Sequence, residues 1–122
     1  MAKATLVEPD IRLGEEILSV LDRAGFPVRV ALWLQEREDD PWELRMASPR
    51  YKEPDAHRQL VDALERDLPG WDVKIRLVDS RDPLIKALRK AFSKCASVHG
   101  MRLGLQTIGG LWINDAYIYR IK

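Results

Sequence analysis

The sequence has little of what a disulfide-stapled, zinc-binding or membrane-spanning protein needs. Its 122 residues include one cysteine and two histidines, which excludes an internal disulfide framework and leaves too few ligands of this kind for a zinc site. No apolar run approaches the roughly 20 residues that span a bilayer. The first five residues lack the apolar segment of a signal peptide. We therefore expect a cytoplasmic protein with no membrane partner.

What is present fits a globular domain. A chain of this length corresponds to one domain of ordinary size. Hydrophobic residues make up 46% of it, which argues against a disordered polar chain. The change of pattern after Pro9 predicts an N-terminal arm over 1–9 and a single domain over 10–122.

Charge is unevenly distributed along the chain, although the net charge is only +1. Residues 1–70 carry ten basic and fifteen acidic side chains, a balance of −5. Residues 71–122 carry ten basic and four acidic side chains, a balance of +6. Such asymmetry indicates an anionic partner or an acidic half that packs against a basic half within one fold.

Hydrophobic periodicity predicts three helices and five strands. Apolar residues at helical spacing place the helices from Asp10, from near Pro54 and from Pro83 to about Ser97. Alternating apolar and polar residues predict strands over 28–35, 42–47, 73–78, 102–106 and 116–121. The order α-β-β-α-β-α-β-β predicts an α+β fold: a mixed, mainly antiparallel sheet with the helices packed on one face.

A sheet covered on one face leaves the other free to bind. The alternation directs Arg29 and Trp33 outward, together with Arg45 on the second strand and Lys74 and Arg76 on the third. Cations beside an exposed aromatic ring are typical of single-stranded nucleic-acid binding. The third helix adds four cations opposite its apolar stripe: Lys86, Arg89, Lys90 and Lys94. The alternatives are a solvated face, or a face covered by a second subunit or by the C-terminal segment.

The C-terminal aromatic residues are candidates for a protein interface. Tyr117 and Tyr119 share one face of the last strand because they are two residues apart. On the helix side they would belong to the core, and on the open side, with Trp33, they would make a stacking or dimerising patch. Trp112 lies in the same final segment and is the third interface candidate. Asn114 and Asp115 precede the tyrosines and favour a bulge or a second turn, which leaves the facing of the tyrosines open.

We find no catalytic constellation in the sequence. Cys95 and His99 are four residues apart and could form an activated thiolate. However, the pattern places Cys95 in the buried stripe of the third helix, where a thiol acts as a small hydrophobic group. His57 falls on the apolar side of the second helix, and His99 suits a capping role. The sequence therefore predicts no catalytic residue, no metal ligand and no cofactor.

Several short segments resemble a family of small, uncharacterised bacterial proteins of similar length. They are the stretch 24–28 running into 31–33, and the stretches 47–49, 82–84 and 115–120. The resemblance implies a bacterial cytosolic domain of helices and strands, and it brings no known activity. It also draws attention to residues 115–120 as a structural or contact element.

Three functions remain after this reading. The first is a non-enzymatic domain that acts through a protein interface, as a homodimer or as a subunit of a bacterial assembly. The second is a nucleic-acid-binding module that uses the basic sheet face and the basic helix over 83–97. The third is an enzyme with an unrecognised site.

Overall fold

The computed structural model describes residues 6–122 and contains the eight elements in the predicted order. The helices are α1 (Glu8–Arg23), α2 (Ala56–Asp67) and α3 (Pro83–Phe92). The strands are β1 (Val30–Gln35), β2 (Glu43–Ala47), β3 (Ile75–Val78), β4 (Met101–Ile108) and β5 (Leu111–Ile121). Of the predicted arm, residues 1–5 lie outside the described residues. Leu6 packs in the core, and α1 begins at Glu8.

The five strands form one mixed sheet in the order β3-β2-β1-β5-β4. Three of the four pairings are antiparallel, and β3 runs parallel to β2. The parallel pairing requires a crossover, and α2 supplies it. The α+β class, the element order and the mainly antiparallel sheet are therefore confirmed.

The helices pack on both faces of the sheet, so the expectation that they share one face is wrong. Ala31 and Trp33 point from β1 toward the core formed with α1 and α2. Val30, Leu32 and Leu34 point the other way, toward α3. All six residues of β1 are buried, as expected for a central strand covered on both sides. We call the two sides the α1–α2 face and the α3 face.

Local sequence signals explain where the helices stop and start. Gly25 follows α1 with a φ of +76°, the left-handed conformation that glycine adopts without steric cost. The side chain of Asp82 accepts hydrogen bonds from the backbone of Leu84 and Ile85 and so caps α3. α3 ends at Phe92, five residues before the predicted end. Cys95 therefore lies beyond the helix and is exposed, which corrects its predicted place in the buried stripe.

The hairpin of β4 and β5 changes facing part-way along. Leu103 and Ile108 both point toward α3, although side chains five residues apart on a regular strand point to opposite faces. Ile113 and Ala116 show the same change on β5. Between them Leu105 has a φ of +50°. The pairing register of β4 with β5 is the same before and after Leu105 and Asn114, so the predicted bulge is not found there. The register shift in β5 lies instead at Tyr119, between the pairs Ala31–Arg120 and Leu32–Ile118.

Candidate functional site

The predicted aromatic on the open sheet face is buried. Trp33 is 3% exposed and lies in the core under α1. Its Nε1 donates a hydrogen bond to Tyr119 Oη at 2.9 Å, and Tyr119 Oη donates to the backbone oxygen of Ile11 in α1. Gly14 permits this contact, because a Cβ there would overlap Tyr119 Oη. Trp33 therefore belongs to a buried hydrogen-bonded network, and the prediction that it faces a ligand is wrong.

Arg45 is also buried, although the sequence suggested a solvent-facing cation. Its side chain is 6% exposed and lies between Glu36 and Glu43. Arg45 Nε donates to Glu43 Oε2 at 2.8 Å, and its Nη2 donates to Glu36. Burial alone would lower the pKa of the Arg45 guanidinium, but the hydrogen bonds to the two carboxylates outweigh it and raise that pKa. Arg45 therefore forms an internal ion cluster with Glu36 and Glu43.

Two of the remaining predicted cations of this face, Lys74 and Arg76, lie beside that cluster, whereas Arg29 lies in a cleft with Arg89. Arg76 is paired with Arg45 across the parallel strands and is exposed. Lys74 Nζ lies 3.7 Å from Glu43 Oε1. A shallow groove of about 320 Å³ runs from Arg76 past the start of α3 to Trp112 on the hairpin. The predicted basic platform is therefore a groove of mixed charge on the part of the α3 face that the helix leaves uncovered.

The cations of α3 behave differently. Lys86 and Lys90 are exposed, as is Lys94 just beyond the helix, whereas Arg89 is half-buried. Within residues 6–122 none of them has an ion-pair partner. The Nε of Arg89 is buried and has no hydrogen-bond acceptor. Arg89 also lines a cleft of about 740 Å³ together with Arg29 and Lys122.

The C-terminal aromatics divide into a buried pair and an exposed residue. Tyr119 is 4% exposed, and its ring packs edge-on against the half-buried Tyr117 at 5.2 Å. Both lie on the α1–α2 face, as the shared-face prediction required. Trp112 is 53% exposed. Of the three interface candidates, the structure leaves Trp112 the most accessible.

Sequence reasoning missed Leu105, which is the most exposed large hydrophobic residue among those described, at 72%. In the hairpin register Gln106 pairs with Ile113 and Thr107 with Trp112, so Leu105 falls two positions along the strand from the residue that pairs with Trp112. The Gly104-Leu105 step gave no turn signal strong enough to indicate a positive φ. The two exposed side chains thus belong to the two strands of one hairpin.

His99 lines a small pocket with Glu15, Asp22, Tyr119 and Arg120. His99 Nε2 lies 3.0 Å from Glu15 Oε1 in an exposed pair that ties the segment before β4 to α1. It therefore does not act as the cap that the sequence suggested. His57 is exposed on α2. No group of three or more potential metal ligands occurs among residues 6–122.

Comparisons with known proteins add no family assignment. No family model matches the chain, and no curated protein or solved structure gives a match. Within residues 6–122 no helix has both the length and the apolar character needed to cross a bilayer. The functional argument therefore rests on the geometry of three places: the mixed-charge groove, the cleft at Arg89 and the exposed hairpin.

Proposed function

We propose that the protein is a non-enzymatic interaction domain that self-associates through the β4–β5 hairpin. The observation that carries this proposal is Leu105. A leucine with positive φ costs about 1 kcal/mol relative to the ordinary backbone regions. Its side chain is largely in solvent, so folding gains little from it. Strain of this kind is typical of positions selected for contact with a partner.

The surroundings of Leu105 also favour a contact surface. Trp112 is exposed on the neighbouring strand of the same hairpin, and tryptophan is enriched at the energetic centres of interfaces. β4 forms one edge of the sheet. Within residues 6–122 no strand pairs with its outer side, and its sequence contains neither lysine nor proline; Arg102 and the irregular backbone at Leu105 are the features that work against pairing there.

A second copy of the chain is the partner that fits this edge best. In a two-fold dimer the same surface meets itself, so it must not repel itself. The charges of the hairpin neutralise each other, since Arg102 donates to Asp115 at 2.9 Å. Antiparallel pairing of two β4 strands would make one continuous ten-stranded sheet. Trp112 and Leu105 of each copy would then lie beside the shared edge.

The test is the substitution Leu105→Asn, followed by sedimentation over a concentration series. Asparagine tolerates positive φ but removes the apolar side chain. We expect self-association to weaken by at least about tenfold, because burial of a leucine contributes about 1.5–3 kcal/mol. The free energy of unfolding of the monomer should stay the same or rise, because strain is relieved.

Tyr51→Ser is the matched control, because Tyr51 is 46% exposed in the segment between β2 and α2. This variant should associate as the parent does. A parent chain that stays monomeric at every concentration contradicts the proposal. So does a Leu105→Asn variant that dimerises with unchanged affinity.

A further inference from the structure

The cleft at Arg89 is distinct from the hairpin and has its own chemistry. Arg29 precedes β1, Arg89 lies on α3, and Lys122 follows β5, so three separate elements contribute a cation. The backbone N–H of Lys122 donates to the backbone oxygen of Arg29 at 2.9 Å, which holds two of these residues side by side. No aspartate or glutamate lines the cleft.

The cations of the cleft form no ion pairs within the described part of the chain: none is found for Arg29, Arg89 or Lys122. Lys122 interacts electrostatically with Asp22, whose carboxylate accepts hydrogen bonds from Arg120. The Nε of Arg89 is buried without an acceptor, and an unsatisfied buried donor costs free energy unless a ligand supplies the acceptor.

The positive charge continues from the cleft along α3. Lys86 and Lys90 are one helical turn apart, which is about 6 Å along the axis. Lys94 follows beyond the end of the helix. A compact anion would occupy the cleft alone and would not reach the lysines of α3. A chain of phosphates would contact the cleft and these lysines together. The half-buried Phe92 is the only aromatic residue that lines the cleft, so base stacking contributes little.

We propose that this surface, which comprises Arg29, Arg89 and Lys122 with Lys86, Lys90 and Lys94, binds the phosphate backbone of a nucleic acid without sequence specificity. The sequence indicated nucleic acid on a sheet face with Trp33 and Arg45 and on the basic helix over 83–97. The geometry favours the cations of that helix with the cleft in place of the sheet face. Trp112 lies near the start of β5, whereas the cleft lies at its end, beside Ile121 and Lys122. The turn of the hairpin at Gly109 packs against Ala87 of α3. Variants at Leu105 and at Arg89 therefore test the two proposals separately.

The experiment measures the binding of the full chain to fluorescent single-stranded and duplex DNA of mixed sequence, by anisotropy at several salt concentrations. Contacts with about four to six phosphates predict a slope of log K against log[salt] of about −3 to −5. Arg89→Gln should weaken binding about tenfold, as expected for one charge-assisted contact. Changing the base sequence should alter affinity little.

Matched variants separate a local site from overall charge. Lys86→Gln with Lys90→Gln alters two exposed side chains and leaves the core intact, so it tests the surface even if Arg89→Gln fails to fold. Arg58→Gln with Arg66→Gln removes the same charge from α2, on the other face of the sheet. The α3 pair should weaken binding about tenfold or more, and the α2 pair should leave it nearly unchanged.

Three results would overturn the proposal. The first is no binding to either form of DNA at low salt. The second is an equal loss of affinity in the α2 and α3 variants, which would reflect net charge alone. The third is binding to vesicles of anionic phospholipid with none to DNA, which would assign the surface to a membrane.

Discussion

The two faces of the sheet bury polar groups in different ways. On the α1–α2 face the buried polar groups are neutral: Trp33 donates to Tyr119, and Tyr119 donates to the backbone of α1. On the α3 face they are ionised, since Arg45 lies between two glutamates. Two helices cover the first face, whereas one helix of ten residues, about 15 Å long, covers the second.

This difference shows how helix coverage determines which chemistry a sheet can hold. A neutral pair is satisfied by two or three hydrogen bonds and can be enclosed completely. A buried charge needs an opposite charge and contact with water at the margin. Glu36 provides this contact with water, because its side chain is 50% exposed, whereas the side chains of Arg45 and Glu43 are at most 9% exposed.

The largest expected effect comes from breaking the charged network. Arg45→Met leaves Glu43 buried without its main partner, and we expect a loss of about 3 kcal/mol in the free energy of unfolding. Urea denaturation measures it. Adding Glu43→Gln to Arg45→Met should recover most of the loss, because no buried charge then remains. Arg58→Met breaks the exposed pair with Asp55 and should cost well under 1 kcal/mol. Equal losses in the two single variants would show that the cluster is not effectively buried.

A smaller effect is expected from the neutral network. Tyr119→Phe removes the hydroxyl that accepts a hydrogen bond from Trp33 and donates one to the backbone oxygen of Ile11. We expect this to lower the free energy of unfolding by about 2 kcal/mol. Equilibrium unfolding in urea measures this loss. Phe92→Leu, on the other side of the sheet, is a control for a change at a half-buried aromatic position. A Tyr119→Phe variant as stable as the parent would contradict the role assigned to this network.

Because of Tyr119, we also expect the free energy of unfolding to depend on pH in the alkaline range. Burial is the largest cause that raises its pKa, against the opposing hydrogen bond from Trp33. The folded state therefore favours the neutral phenol. This contribution to stability is complete below the pKa of an unfolded tyrosine, about 10, and declines as the pH rises above it. Tyr119→Phe should lose less stability over that alkaline range than the parent does.

The smallest expected change in stability comes from the ion pair between Arg120 and Asp22, at the rim of the α1–α2 face. The hydrogen bond from Arg120, opposed by slight burial, lowers the pKa of Asp22. The pair therefore stabilises the fold above the unfolded aspartate pKa of about 4 and is lost as the pH falls through the lowered value. Because both side chains reach solvent, we expect about 0.5 kcal/mol or less. Asp22→Asn should flatten this part of the pH profile, and an unchanged profile would mean that the pair contributes nothing.

The fold was largely predictable because each element carries its own local signal. Asp82-Pro83 indicated the start of α3, and alternation indicated β1 and β2. The facing of β1 was not predictable in the same way. Its residues Val30, Ala31, Leu32, Trp33 and Leu34 are all apolar, so either face could have been the covered one. That the strand is covered on both sides follows from where α3 packs, which is a tertiary property.

The candidate sites were predictable only in part, for related reasons. The cations of α3 were identified because helical spacing separates them cleanly from the apolar stripe. Arg45 was taken as solvent-facing because its partners Glu36 and Glu43 come from different positions along the hairpin. Cys95 was placed in a helix that ends three residues earlier, where no glycine or proline marks the stop. Leu105 carried no signal, because leucine is not a residue type that favours a positive φ.

The position of β5 has a consequence for how the chain folds. Of the five described strands, β5 leaves the ribosome last, yet it lies between β1 and β4 in the sheet. Its partner β1 is synthesised roughly eighty residues earlier. Until β5 emerges, β1 has β2 as its one neighbour and β4 has no strand to pair with. The central ladder therefore closes a large loop, so we expect folding to be slow for a domain of this size and to finish only after synthesis of β5.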